Sequence, residues 1–213
     1  MKTLLLAALF AAVQTLSAAG GEFSVVTYNV ENLFDADEIA VFDDYASSGE
    51  SHSYSPAKLL VKIVNIAEAL RTFNNGAGPE IVCFNEFEID FSPESTVADH
   101  AAFLASYKDT TVDRMLTTEL NDEIRGLPVE ALLLKYFEDN GMSGYQVTVG
   151  TDPAGSVGPG AKNAQTKAHK NAVFSKFPIT ETKSHPTPDA RDILEVTLEA
   201  GGHPFTIFVN HWK

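Results

Sequence analysis

The sequence is poor in cysteine and in basic residues. Cys83 is its one cysteine among 213 residues, which excludes an intrachain disulfide and predicts a small buried apolar side chain. Fifteen lysines and arginines stand against 29 acidic residues, a formal net charge of −14. This balance argues against a general binder of nucleic acid or anionic membranes, because such proteins attract phosphate with excess cations. No Gly-x-Ser-x-Gly turn occurs, so a serine hydrolase has little support.

Long apolar runs are missing except near the N-terminus. Lys2 precedes an apolar run from Leu4 to Val13, and small residues follow it at 17–19. This order is typical of a secretory signal peptide, so residues 1–19 are predicted to be removed on export to the periplasm or the cell exterior. The run is too short for a span of about 20 residues, and no other transmembrane span is expected. Residues 20–213 are predicted to form one domain.

The first half of that domain predicts a strand-helix-strand unit. Residues 23–28 are rich in β-branched and aromatic side chains and indicate a strand. Ser55 and Pro56 are a helix-start signal, and apolar residues recur behind them at helical spacing as far as Phe73. Residues 80–84 predict a second, buried strand. Two such strands in one sheet run parallel, so their carboxyl ends lie at the same edge.

The second half mixes one helix with further strands. A helix is predicted at 128–139 and strands at 145–149 and 171–175. Residues 194–198 and 205–210 are expected to pair as strands through Gly201-Gly202, the second being apolar on both faces and hence central. Loops are expected at 35–55 and 151–165. The sequence therefore predicts an α/β fold with a sheet sandwich and helices outside it.

Three predicted strands end abruptly in polar residues: Asn29, Asn85-Glu86 and Asn210-His211. A buried amide or carboxylate without a partner costs several kcal/mol, so these residues either cap loops or point into a shared cleft. Carboxylate and amide oxygens are ligands that Mg²⁺ accepts, together with water and substrate phosphate. The pattern is thus compatible with a metal and phosphate site.

Four motifs in order resemble the endonuclease/exonuclease/phosphatase superfamily, in its secreted bacterial branch. They are TYNVENLFD (27–35), GPEIVCFNEFE (78–88), HKNAVFSKFPI (169–179) and FVNHWK (208–213). The resemblance implies a four-layered α/β sandwich, in which helices flank two mixed β-sheets, and metal-assisted hydrolysis of a phosphate ester. Mg²⁺ is the expected cofactor, with Mn²⁺ or Ca²⁺ as alternatives. Nucleic acid, phospholipid and sugar phosphate remain open as substrates, and no obligate protein partner is inferred.

The resemblance also assigns roles to single residues. Glu86 matches the metal-binding glutamate, although Asn85 stands before it where Gln is usual. Asn29 contacts the metal site and His211 the scissile phosphate, while Glu31 falls where some members carry a second acid. Lys170 and Asn171 lie in a stretch that could reach substrate.

Two neighbouring residues have plainer expectations, since His169 is expected at the surface and Glu88 as a solvated loop acid. The superfamily continues beyond the FVNHWK motif to an Asp-x-Asn motif and an Asp-His pair, which the sequence does not contain. The C-terminal part of the fold is therefore expected to be missing and the 213-residue product inactive. The alternative is a secreted, non-catalytic binding domain on the same fold.

Overall fold

Two β-sheets and five α-helices make up the part of the chain that the structure, a computed structural model, describes. That part comprises residues 12–18, 21–37, 54–90, 96–151, 169–187 and 191–211, with backbone alone for 12–18 and Gly21. The strands are β1 (Ala12–Ala18), β2 (Gly21–Leu33), β3 (Ile81–Glu88), β4 (Gln146–Val149), β5 (His169–Ser175), β6 (Ile179–His185), β7 (Ile193–Ala200) and β8 (His203–Val209). The helices are α1 (Pro56–Leu70), α2 (His100–Ser106), α3 (Val112–Met115), α4 (Asp122–Arg125) and α5 (Val129–Asp139). The predicted α/β character is confirmed.

The strand-helix-strand unit has the predicted form. The Ser55 side chain accepts a hydrogen bond from the backbone N–H of Lys58 at 3.2 Å, which caps α1, and Pro56 occupies its first turn. One face of α1 is buried against the sheet, including Leu59, Ile63 and Leu70. Strands β2 and β3 then pair in parallel. Their carboxyl ends consequently lie at one edge, as the sequence analysis expected.

The larger sheet has five strands in the order β1-β2-β3-β5-β4. Strand β5 runs antiparallel to both β3 and β4. Strand β1 pairs antiparallel with β2, from Ala12 opposite Thr27 to Ala18 opposite Gly21. The second part of the predicted signal peptide thus forms an edge strand, while residues 1–11 and 19–20 lie outside the described residues.

Alternate residues of the central strand β3 face two different cores. Val82 and Phe84 pack in a core with α1 and α5, whereas Ile81 and Cys83 pack in a second core with the smaller sheet. This alternation follows from the two-residue period of a strand. The five-stranded sheet therefore lies between a helical layer and the three-stranded sheet β6-β7-β8. Cys83 is buried, as predicted.

Some sequence expectations are wrong. Strand β8 pairs with β7 through the predicted hairpin, but it lies at the edge of its sheet rather than in the centre, and its Phe208 is 56% exposed. Apolar residues on both faces of this strand therefore do not indicate a central position. The short helices α2 to α4 and strand β6 were not predicted. Much of the predicted loops at 35–55 and 151–165 lies outside the described residues.

No helix of the described residues is both long and apolar enough to cross a bilayer.

Candidate functional site

Two side chains meet at one carboxylate. Strands β2 and β3 extend past the predicted ends, to Leu33 and Glu88, so Asn29 lies within β2, and its Nδ2 group donates to Glu86 Oε1 of β3 at 3.0 Å. His211, two residues after β8, brings its Nε2 atom within 3.2 Å of the same oxygen and 3.5 Å of Asn29 Nδ2. The structure therefore brings together the three residues that the sequence placed at strand ends, and they come from both sheets.

Three residues in this region have a left-handed backbone conformation. Glu31 (φ 53°) and Asn32 (φ 63°) in β2 and Glu86 (φ 67°) in β3 all have positive φ, which is uncommon for residues other than glycine. The pairing register of β2 and β3 shifts between Asn29 and Leu33. Bulges of this kind occur next to active sites, where they re-aim a side chain. Such backbone strain persists only where the surroundings hold it.

Hydrogen bonds that involve the side chains of Asn29, Glu86 and Lys62 stabilise this bulge. The N–H of Glu31 donates to Asn29 Oδ1 at 2.8 Å, and the N–H of Asn32 donates to Glu86 Oε2 at 3.0 Å. Lys62 of α1 donates to the carbonyl oxygens of Glu31 and of Asn32, the latter at 3.1 Å. Both carboxylate oxygens of Glu86 therefore accept hydrogen bonds, and α1 is tied to the bulge.

Lys62 also lines a cleft beside the bulge. The cleft has a volume of about 260 Å³, and Tyr28, Asn29 and Glu31 contribute to its wall. Burial lowers the pKa of Lys62 to about 8, and the charge of Lys58 adds to this effect. Sequence reasoning missed Lys62, because its position in α1 carries no signal beyond the helical pattern.

A chain of amide groups links the two sheets behind the site. Asn85 Nδ2 donates to Asn171 Oδ1 at 2.8 Å and to the carbonyl oxygen of Asn210 at 3.3 Å. Asn171 Nδ2 donates to the carbonyl oxygens of Asp192 at 2.9 Å and Val209 at 3.1 Å. Asn85 precedes Glu86 and Asn210 precedes His211, so this network holds the two site residues in register.

The predicted substrate-binding residues Lys170 and Asn171 lie inside the fold. Lys170 Nζ is 3.1 Å from Glu130 Oε1 of α5, and the two side chains are 2% and 6% exposed. Asn171 is 1% exposed and belongs to the amide network. The geometry favours structural roles over substrate contact for both.

Two expectations about exposure are wrong. Glu88 is buried rather than solvated, and its Oε2 accepts the N–H of buried Asp35 at 2.7 Å. Burial first, and then the neighbouring carboxylates, raise the pKa of both acids well above the usual range. His169 is also buried, where its ring stacks on Phe34 at 5.6 Å between centroids. Glu88 and His169 are both buried strand residues, because β3 and β5 extend further than the sequence pattern indicated.

Arg191 is the second cation that sequence reasoning missed. One of its terminal nitrogens (Nη2) lies 2.9 Å from Nδ1 of His169. A guanidinium can only donate, so Nδ1 accepts and the imidazole is neutral with its proton on Nε2. Burial lowers the pKa of His169 to about 4, against an opposing effect of Glu86, and Arg191 lowers it further. Arg191 precedes β7 and lies outside its alternating pattern, so the sequence carried no signal for this residue.

The side chains around Glu86 suit a magnesium ion but not every kind of metal site. Among the described residues, no three His, Cys, Asp or Glu side chains are grouped so that they could hold a metal. Mg²⁺ needs fewer protein ligands, because it is usually bound through one or two carboxylates and retains several waters. Glu86, with the exposed Glu31 two residues after Asn29, meets that requirement. The residues present therefore fit Mg²⁺ but not a closed, all-protein metal cage.

Three comparisons with known proteins were made. No family model matches the chain. No curated protein and no solved structure matches it significantly.

Proposed function

We propose that the protein is a metal-dependent phosphoester hydrolase of the endonuclease/exonuclease/phosphatase type. The observation that carries the proposal is the convergence of Asn29 and His211 onto one carboxylate oxygen of Glu86. In metal-assisted attack of water on phosphorus, a carboxylate can hold the ion, while an amide and an imidazole can donate hydrogen bonds to the phosphate. The motifs that carry the resemblance supply these residues in the same order.

Each residue has a distinct task in this proposal. Glu86 would hold Mg²⁺, with Glu31 as a second acid, and Mn²⁺ or Ca²⁺ as alternatives. The bound ion would neutralise charge on a phosphate oxygen or the leaving group. Asn29 and His211 donate hydrogen bonds to the phosphate and orient it, and positioned donors of this kind contribute a few kcal/mol in the transition state. The bulge held by Lys62 keeps Asn29 aimed at that point.

The finer architecture is proposed on the same grounds. A four-layered sandwich would add a helical layer on the outer face of the three-stranded sheet. The helical layer, the five-stranded sheet and the three-stranded sheet supply the first three layers. The exposed Phe208 lies on β8, on the sheet that the fourth layer would cover.

Export of the protein is proposed from its N-terminal segment. Removal of residues 1–19 would release β1 from β2 and leave a domain that begins with the predicted strand at 23–28. Protein collected from the periplasm or the culture medium should have its N-terminus near Gly20, read by N-terminal sequencing. Exported protein that retains Met1 would contradict the signal peptide.

The rival proposal is a secreted binding domain that keeps the fold without catalysis. Hydrolysis of bis(4-nitrophenyl) phosphate with Mg²⁺ present discriminates the two, and DNA, phospholipid vesicles and sugar phosphates then distinguish the substrate class. Metal binding is measured as well, so that the proposed metal site is tested separately from turnover.

The decisive experiment is a titration of Mg²⁺ into the wild-type chain and into Glu86→Gln. The substitution keeps the shape of the side chain but removes its charge, so Mg²⁺ affinity should fall at least about tenfold. The matched control is Glu68→Gln on α1, an exposed acid paired with Arg71, which should leave Mg²⁺ affinity unchanged. Equal Mg²⁺ affinity in wild type and Glu86→Gln would refute the proposed metal site.

A further inference from the structure

Arg191 lies beside the site through the register of the smaller sheet. Leu194 pairs with Val209 in the β7-β8 hairpin, so the same antiparallel register places Asp192 opposite His211. The Asn171 side chain of β5 donates a hydrogen bond to the carbonyl oxygen of Asp192. The backbone that carries Arg191 is therefore fixed against both the His211 strand end and the start of β5.

Within the part of the chain that the structure describes, the guanidinium of Arg191 has one hydrogen-bond partner. It contacts His169 Nδ1 at 2.9 Å, and within the described residues it has no carboxylate partner. The other arginines differ: Arg71 and Arg114 each pair with a glutamate, and Arg125 donates to a backbone carbonyl. A guanidinium has five donors in a fixed fork, so Arg191 is anchored at one nitrogen and available at the rest.

Two cations lie near the site in a chain that is acidic overall. The protein carries a formal net charge of −14, yet Arg191 and Lys62 both lie within electrostatic range of His169. Arg191 also lies within electrostatic range of His211. Lys62 and Arg191 therefore bring positive charge to the site beside Glu31 and Glu86, and local positive charge favours a bound anion.

We propose that Arg191 binds the substrate phosphate, with His169 as the residue that positions its guanidinium. A planar fork matches two phosphate oxygens at once, which a lysine at the same place cannot do. His169 is buried and stacked on Phe34, so it fixes the guanidinium at one nitrogen, within electrostatic range of His211. This inference rests on the proposed hydrolase function and adds a binding residue to it.

The test is a titration of inorganic phosphate into the full 213-residue chain, at low salt, without and with Mg²⁺. Arg191→Gln removes the charge, and Arg191→Lys keeps the charge without the fork. The matched controls are Arg114→Gln and Arg114→Lys, at an exposed arginine paired with Glu119. Thermal unfolding of every variant shows whether it is folded, and if Arg191→Gln is not, Arg191→Lys decides the outcome.

Wild-type protein should bind phosphate, Arg191→Gln should bind it at least tenfold more weakly, and Arg191→Lys several-fold more weakly. The two Arg114 variants should match wild type. Phosphate binding by Arg191→Lys or a folded Arg191→Gln within twofold of wild type would overturn the proposal, and so would a wild-type chain that binds no phosphate.

The same data separate this inference from the proposed function. Phosphate binding that depends on Arg191, in a chain whose Mg²⁺ affinity is unaffected by Glu86→Gln, would leave Arg191 as an anion site and refute the hydrolase site. Loss of Mg²⁺ binding in Glu86→Gln, with phosphate binding unchanged in Arg191→Gln, would refute the role of Arg191 alone.

Discussion

Replacing Asn85 by alanine should weaken both the fold and the site, because Asn85 connects the two sheets. The change removes the hydrogen bonds to Asn171 Oδ1 at 2.8 Å and to the carbonyl oxygen of Asn210 at 3.3 Å. Asn171 is 1% exposed, so its orphaned oxygen cannot turn to bulk water and should cost about 1–3 kcal/mol. The half-buried Asn210 carbonyl is closer to water and adds little. We expect a loss of about 2–3 kcal/mol in the free energy of unfolding.

Urea denaturation and thermal unfolding measure this loss. For a domain of this size, 1 kcal/mol corresponds to about 2–4 °C in Tm, so Asn85→Ala should unfold roughly 4–12 °C below wild type. Asn65→Ala is the matched control, since Asn65 is an exposed asparagine on α1. Its unfolding free energy should stay within about 0.5 kcal/mol of wild type.

A double-mutant cycle tests the reasoning itself. Asn85→Ala and Asn171→Ala remove the same hydrogen bond, so the double variant should lose less than the sum of the single losses, by about 1 kcal/mol. Additive losses, or an Asn85→Ala variant as stable as Asn65→Ala, would refute the network. Magnesium affinity should also fall in Asn85→Ala, because the Asn210 carbonyl that precedes His211 is released.

Three further outcomes follow from the buried groups. Lys170→Met leaves Glu130 buried without its partner, so the free energy of unfolding measured in urea should fall by about 3–5 kcal/mol. A second change, Glu130→Leu, should recover most of this loss. A Lys170→Met variant as stable as wild type would contradict the prediction. His169 stays neutral in the fold down to its pKa of about 4 but is protonated below about 6.5 when unfolded. Stability should therefore fall by up to about 3 kcal/mol as pH drops from 6.5 to 4, and the difference between wild type and His169→Gln should show this slope. Burial raises the pKa of Cys83 to about 12, so a thiol reagent at pH 8 should modify the protein in denaturant and not in its native state.

The part of the site that could be read from the sequence is the part that lies at strand ends. Asn29 and Glu86 follow apolar runs of two strands joined by a capped helix, and parallel pairing brings such ends together. His211 follows the hairpin strand in the same way. Local pattern is sufficient here, because each residue directly follows an apolar run, although β2 and β3 continue past these runs to Leu33 and Glu88.

The rest depends on contacts between elements that are distant in sequence. Lys170 looked available to substrate, and its burial depends on Glu130 of α5, which lies 40 residues away. Glu88 and His169 pair directly across β3 and β5, a register that the apolar pattern does not specify once the strands bulge. Arg191 lies before a strand and carries no periodic signal at all. Such residues are placed by tertiary packing, which a single sequence does not display.

The position of the site at the junction of the two sheets has a consequence for mutations far from it. Glu86 belongs to the five-stranded sheet and His211 follows the three-stranded one, so their 3.2 Å approach depends on the spacing between the sheets. Ile81 and Val196 contribute to the core that sets this spacing. A misplacement of about 1 Å can cost about a hundredfold in rate even when no reacting group is changed. Large-to-small changes in this core should therefore impair phosphate and Mg²⁺ binding even when the variant stays folded. Changes in the helical core that lower the free energy of unfolding by the same amount should leave both affinities unchanged.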